Sequence, residues 1–73
     1  MIDYYEMIEM IKRGEEFIIT CFGKRYWISQ TKEYIIFTSV EDRESQYFSS
    51  LDEFLSDAKI NGHFLSNLKS EIK

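Results

Sequence analysis

The chain has no proline, three glycines, one cysteine and one histidine among its 73 residues. Without proline, no turn or helix start is imposed by a locked φ, so Gly14, Gly23 and Gly62 carry the punctuation. The single Cys21 excludes an internal disulfide, and a disulfide-free domain of this size fits a reducing cytoplasm better than secretion. Cys21 and His63 are far apart in sequence, with neither a zinc-ligand spacing nor the pattern of a Cys-His nucleophilic pair. No metal or other cofactor is expected. No apolar stretch approaches the roughly 20 residues that a membrane helix needs, and the acidic start Met1-Ile2-Asp3-Tyr4-Tyr5-Glu6 lacks the apolar core of a signal peptide. A cytoplasmic protein with no membrane contact is the expectation.

Positive charge is also scarce. Nine Lys and Arg stand against thirteen Asp and Glu, a formal net charge of -4. This disfavours direct nucleic-acid binding and anionic membranes, since no basic patch is there to displace counterions. The carboxylates are plentiful but not arranged: Glu15-Glu16 follow a glycine turn and Glu41-Asp42 sit in a loop. Catalytic carboxylates require burial or a close like charge to move their pKa. Gly23-Lys24-Arg25 lacks the spaced glycine and the Ser or Thr of a phosphate loop, so it reads as a hairpin tip. The chain reads as a non-enzyme with no small-molecule substrate evident.

What is present is 44% hydrophobic and 16% aromatic residues, ample for one small domain spanning 1–73. Self-association as a homodimer would add to so modest a core. A helix is predicted over about Tyr4–Arg13. Asp3 is its N-cap and Glu6 completes a capping box; Tyr4, Met7, Ile8 and Ile11 form its apolar stripe, and Gly14 is its terminator. The run from Phe17 to Val40 alternates as β-strand and is apolar on both faces. Strands over about Glu16–Phe22 and Arg25–Gln30 flank a two-residue turn at Gly23-Lys24, with glycine first as a type II′ turn prefers. A second two-residue turn at Thr31-Lys32 leads to strand three, and a one-residue slip in register there would turn that strand over. This pairs Ile19 with Ile28 and Ile28 with Ile35. Face one then holds Phe17, Ile19, Cys21, Tyr26, Ile28, Ile35 and Phe37, and is taken as the core. Face two holds Ile18, Thr20, Phe22, Trp27, Ser29, Tyr34, Ile36 and Thr38. After a charged loop at Glu41–Glu44, Gln46-Tyr47-Phe48 returns as a short fourth strand. Ser50 and Glu53 cap a helix to about Lys59, and a last helix runs from about His63 to Ile72. The order α-β-β-β-(β)-α-α is an α+β fold: an antiparallel meander of three to four strands, one N-terminal helix and two short C-terminal helices.

Three segments, Gly23-Lys24-Arg25-Tyr26-Trp27-Ile28, Gln46-Tyr47-Phe48-Ser49-Ser50-Leu51-Asp52-Glu53-Phe54-Leu55 and Ala58-Lys59-Ile60-Asn61-Gly62, carry a resemblance. It is to small uncharacterised proteins of low-GC Gram-positive bacteria and their prophages. The resemblance implies a shared fold and a bacterial or phage cytoplasmic setting. It brings no activity and no functional residues.

Face two is the strongest functional signal. If a C-terminal helix covers it, its aromatics are a second layer of core. If none does, Phe22, Trp27, Tyr34 and Ile36 form a protein contact, to another protein or to a second copy, because Trp and Tyr are enriched at interface centres. A single-strand nucleic-acid platform would also need basic residues along it, and Arg25 is the one neighbour. The leading expectation is a non-enzymatic protein-binding module, phage or mobile-element borne. A different class of reading takes Glu6, Glu9, Glu41, Asp42 and Glu44 as an acidic nucleic-acid mimic that occupies a basic groove of a host protein.

Overall fold

The structure, a computed structural model, describes residues 2–73. Helix α1 spans Tyr4–Lys12. The Asp3 carboxylate accepts the Glu6 backbone N–H at 2.8 Å, which satisfies one of the free donors of the first turn. At the other end Gly14, at φ 76°, turns the chain in the left-handed region. Its N–H donates to the Ile11 carbonyl and that of Glu15 to Met10, the paired bonds of a Schellman termination. Tyr4, Met7 and Ile11 are buried.

Four antiparallel strands follow in sequence order: β1 Phe17–Cys21, β2 Lys24–Gln30, β3 Ile35–Ser39 and β4 Ser45–Phe48. Both expected hairpin registers are corrected. The first turn is Phe22-Gly23, not Gly23-Lys24: Cys21 pairs with Lys24, Ile19 with Tyr26 and Phe17 with Ile28. Phe22 and Gly23 both have positive φ, 52° and 74°, as a type I′ turn requires. The expected register would have set Phe17 opposite Gln30. The observed one sets it opposite Ile28 and leaves Gln30 beyond the β1 ladder. There its Nε2 donates to the carbonyls of Ile11 and Glu15 at 3.0 and 3.4 Å, tying the end of α1 to the sheet.

The second turn slides the other way. Ile28 pairs with Phe37, not Ile35, and Gln30 with Ile35. Thr31 N–H donates to the Tyr34 carbonyl, so Lys32-Glu33 is the tip. The Thr31 hydroxyl accepts from the N–H groups of Glu33 and Tyr34, a side-chain turn that selects this tip over Thr31-Lys32. Sliding a two-residue turn by one position moves the pairing by two, an even number. Face one therefore keeps the membership expected of it, and face two keeps all but Phe22, which the displaced turn takes off the ladder.

After β4, the Ser50 hydroxyl caps helix α2, Leu51–Asp57, by accepting from Glu53 N–H at 3.1 Å. The helix stops short of Lys59 because Ala58 is already extended. Lys59 enters strand β5, Lys59–Ile60, where the Gln46 side-chain amide grips its backbone with reciprocal bonds of 2.8 and 3.0 Å. The expected last helix over His63–Ile72 is not formed. Asn61 and Gly62, with φ of 52° and 79°, make a second positive-φ hairpin turn into β6, His63–Phe64. His63 is thus an exposed strand residue, not a helix start. Single 3-10 turns at Leu65–Asn67 and Lys69–Glu71 follow. Ile72 and Lys73 lie along the free edge of β1, with Thr20 and Lys73 exchanging backbone bonds of 2.8 and 2.9 Å. A helix through Ile72 would forfeit that pairing.

All of this packs on face one. Ile19, Cys21, Ile28 and Phe37 on the sheet, Met7 and Ile11 on α1, Phe54 and Ala58 around α2, and Ile60, Leu65 and Ile72 beyond it form one buried cluster. Phe54 meets Phe37 and Phe48 edge-on, with ring centroids 5.6 and 5.5 Å apart, the favoured arrangement for aromatic pairs.

Candidate functional site, an uncovered sheet face

Because both helices and the C-terminal turns lie against face one, nothing in the described chain covers face two. Ile18, Trp27, Tyr34 and Tyr47 stand there at 49%, 44%, 45% and 58% exposure, and Ile36 is half-buried between them. The pairings arrange them. Ile18 lies opposite Trp27, Trp27 opposite Thr38 and Thr38 opposite Ser45. One step along, Ser29 lies opposite Ile36 and Ile36 opposite Tyr47. Tyr34 and Tyr47 meet edge-on, centroids 5.8 Å apart. The Thr38 and Ser45 hydroxyls bond to each other at 2.8 Å.

Of the four residues expected to form the contact, Trp27, Tyr34 and Ile36 share this face. Tyr34 stands one residue before β3, held by the Thr31 turn rather than by the strand ladder. Phe22 is 55% exposed but sits in the first hairpin turn, off the ladder. Tyr47 is an addition. The alternation in Gln46-Tyr47-Phe48 carries its signal, since burying Phe48 turns Tyr47 outward.

Charge is kept off the centre of this face. The Arg25 guanidinium at its margin is held by Glu41, Nε to Oε1 3.1 Å, and this bond holds the Glu41 carboxyl below its ordinary range. Lys24 stands 4.0 Å from Asp42. Rings elsewhere are treated differently: Lys59 lies over exposed Phe64, and Lys69 near exposed Tyr5 and buried Tyr4. Among the described residues no cation lies over Trp27, Tyr34 or Tyr47.

The chemistry-bearing residues are dispersed. Cys21 is fully buried in face one, and burial, with the nearby Glu71 charge, pushes its thiol pKa up. An unreactive thiol follows from that setting. Among the described residues no group of three or more His, Cys, Asp or Glu is placed to hold a metal ion. A cleft of about 80 Å³ lies between Tyr26, Asp42, Gln46 and Lys59, well below the roughly 300–1,000 Å³ of small-molecule sites. No described helix is long and apolar enough to cross a membrane. The five carboxylates of the mimic reading are split, Glu6 and Glu9 on α1 and Glu41, Asp42 and Glu44 in the β3–β4 loop. Three of them face cations of their own chain: Glu9 at Lys12, Glu41 at Arg25 and Asp42 at Lys24.

The chain matches no family model, no curated protein and no solved structure.

Proposed function

We propose that this chain is a non-enzymatic protein-binding module that docks through its open sheet face. Trp27 and Tyr47 supply the aromatic anchors, Tyr34 and Ile36 pack beside them, and Ile18 and Phe22 lie at the margin. The observation that supports it is the one-sided core: a four-stranded sheet with every covering element on one side and large apolar side chains left on the other. Monomeric soluble proteins rarely leave contiguous apolar patches of more than a few hundred Å² without a use for them. The acidic-mimic reading asks for free carboxylates on one surface, and Glu41 and Asp42 are engaged with Arg25 and Lys24.

The test is retention on the immobilised chain of proteins from a bacterial lysate, the tagged chain itself included. A partner held by the wild type is expected to be lost with folded Trp27→Ala and folded Tyr47→Ala, and to resist added salt. Capture that is indifferent to both substitutions but collapses as salt rises would overturn this reading in favour of the acidic surface, because exposed charges are screened within about 8–10 Å at moderate ionic strength.

A further inference from the structure

Resting on that reading, we infer that the occupant of the open face is a second copy of the same chain, related by a two-fold axis parallel to the sheet and perpendicular to its strands. A two-fold interface must be complementary to itself. The relief of this face meets that condition. In one row across the sheet stand Trp27 on β2, Thr38 on β3 and Ser45 on β4; in the next row, on the same strands, stand Ser29, Ile36 and Tyr47. Each strand carries one large and one small residue, and the order reverses between β2 and its two neighbours. An axis between the rows sets each position against the other row of the same strand in the second copy. Trp27 then meets Ser29, Ile36 meets Thr38 and Tyr47 meets Ser45, large against small at all three strands. Strand directions of the two sheets run antiparallel, compatible with the roughly 30° offset of aligned sheet packing.

Charge and area agree. None of the six residues is ionised, whereas the whole chain carries a net charge of -4. Two copies repel through the rest of their surface and can meet at these six positions, where the nearest charge on the same face along β2, Arg25, is already paired with Glu41. The Thr38 and Ser45 hydroxyls already satisfy each other, which lowers the cost of covering them. The face measures about 19 by 16 Å, from four strands roughly 4.8 Å apart and about five residues long at 3.3 Å each. This is roughly 300 Å² of flat footprint per copy, about 600 Å² in all before side-chain relief is added, at the small end of protein interfaces. The dimer is accordingly weak.

Sedimentation equilibrium of the full chain up to roughly 1 mM, with Ser29→Trp and Trp27→Ser alone and mixed, tests this. Both positions are off the core, and circular dichroism confirms that each variant folds. The wild type is expected to dimerise, with an affinity that does not fall as salt rises. Ser29→Trp sets ring against ring and Trp27→Ser removes the knob. A central aromatic is worth roughly thirtyfold in affinity, and the axis doubles the loss to roughly a thousandfold, so each variant alone is a monomer. Mixed, the two restore Trp against Ser at both contacts and form a heterodimer. A wild type that stays monomeric overturns the second copy as occupant, yet leaves the binding module standing on its own retention test. A dimer that tolerates both single variants uses another surface, and two monomeric variants that fail to associate on mixing refute this pairing; either result overturns the inference.

Discussion

Trp27→Ala and Phe37→Ala compare the two faces of one sheet. Trp27 is 44% exposed, so roughly half of its side chain, about 100 Å² of the 150–250 Å² an aromatic offers, is covered by neighbours. At about 25 cal/mol per Å² this is roughly 2.5 kcal/mol. The extended-chain reference overstates burial by about 10–40%, and the rotamer freedom lost on ordering the ring offsets up to about 1 kcal/mol more. A net cost of about 1–2 kcal/mol remains. Phe37 is 1% exposed, stacked on Tyr26 and met edge-on by Phe54, and truncating it is expected to cost about 3–5 kcal/mol, cavity included. Against a total of about 4–11 kcal/mol for a domain of this length, Trp27→Ala remains folded at room temperature and Phe37→Ala is at the edge of unfolding. Urea titration measures both. Because Trp27 is the sole tryptophan, the signal has to be far-UV circular dichroism and not fluorescence. Low protein concentration is needed, since self-association stabilises the native state by mass action. The expected result is a modest fall in the Trp27→Ala midpoint at unchanged slope. A Trp27→Ala loss as large as that of Phe37→Ala would mean that face two is core, and would refute the reasoning from which the binding module and the dimer both start.

Two further outcomes are expected. Cys21 is buried with its thiol pKa raised, as are the phenols of Tyr4 and Tyr26; a raised folded pKa contributes stability that is complete below the unfolded value and is lost as pH rises through the folded one. Stability is therefore expected to fall in the alkaline range above the ordinary thiol pKa, less steeply in Cys21→Ala, and a thiol reagent should label native Cys21 no faster than the chain unfolds. Gln46→Ala removes both bonds to the Lys59 backbone; at about 1 kcal/mol each, hydrogen exchange at the Lys59 amide should accelerate by one to two orders of magnitude while α1 is unaffected.

Local chemistry made much of this fold legible in the sequence. Asp3 with Glu6, Ser50 with Glu53, and Gly14 act within a few residues of themselves, so caps and helix ends follow from short-range hydrogen bonding. The period-two alternation from Phe17 to Phe37 assigned both sheet faces, and did so even though both turns were displaced, because a slide of the two-residue turn preserves parity. That Trp27, Tyr34 and Ile36 share one face of the sheet was legible for the same reason. What went astray depends on distant partners. Phe22 accepts a left-handed backbone, and Gln30 is thereby released to bind the end of α1. The apolar spacing of Phe64, Leu65, Leu68 and Ile72 reads as a helix in isolation, but the Asn61-Gly62 turn uses Phe64 in a hairpin and the β1 edge takes Ile72 and Lys73 as extended chain. Alternation along a strand determines which side chains share a face. Whether a helix then lies over that face depends on where the connecting turns send it, and here the tertiary structure sent every covering element to one side.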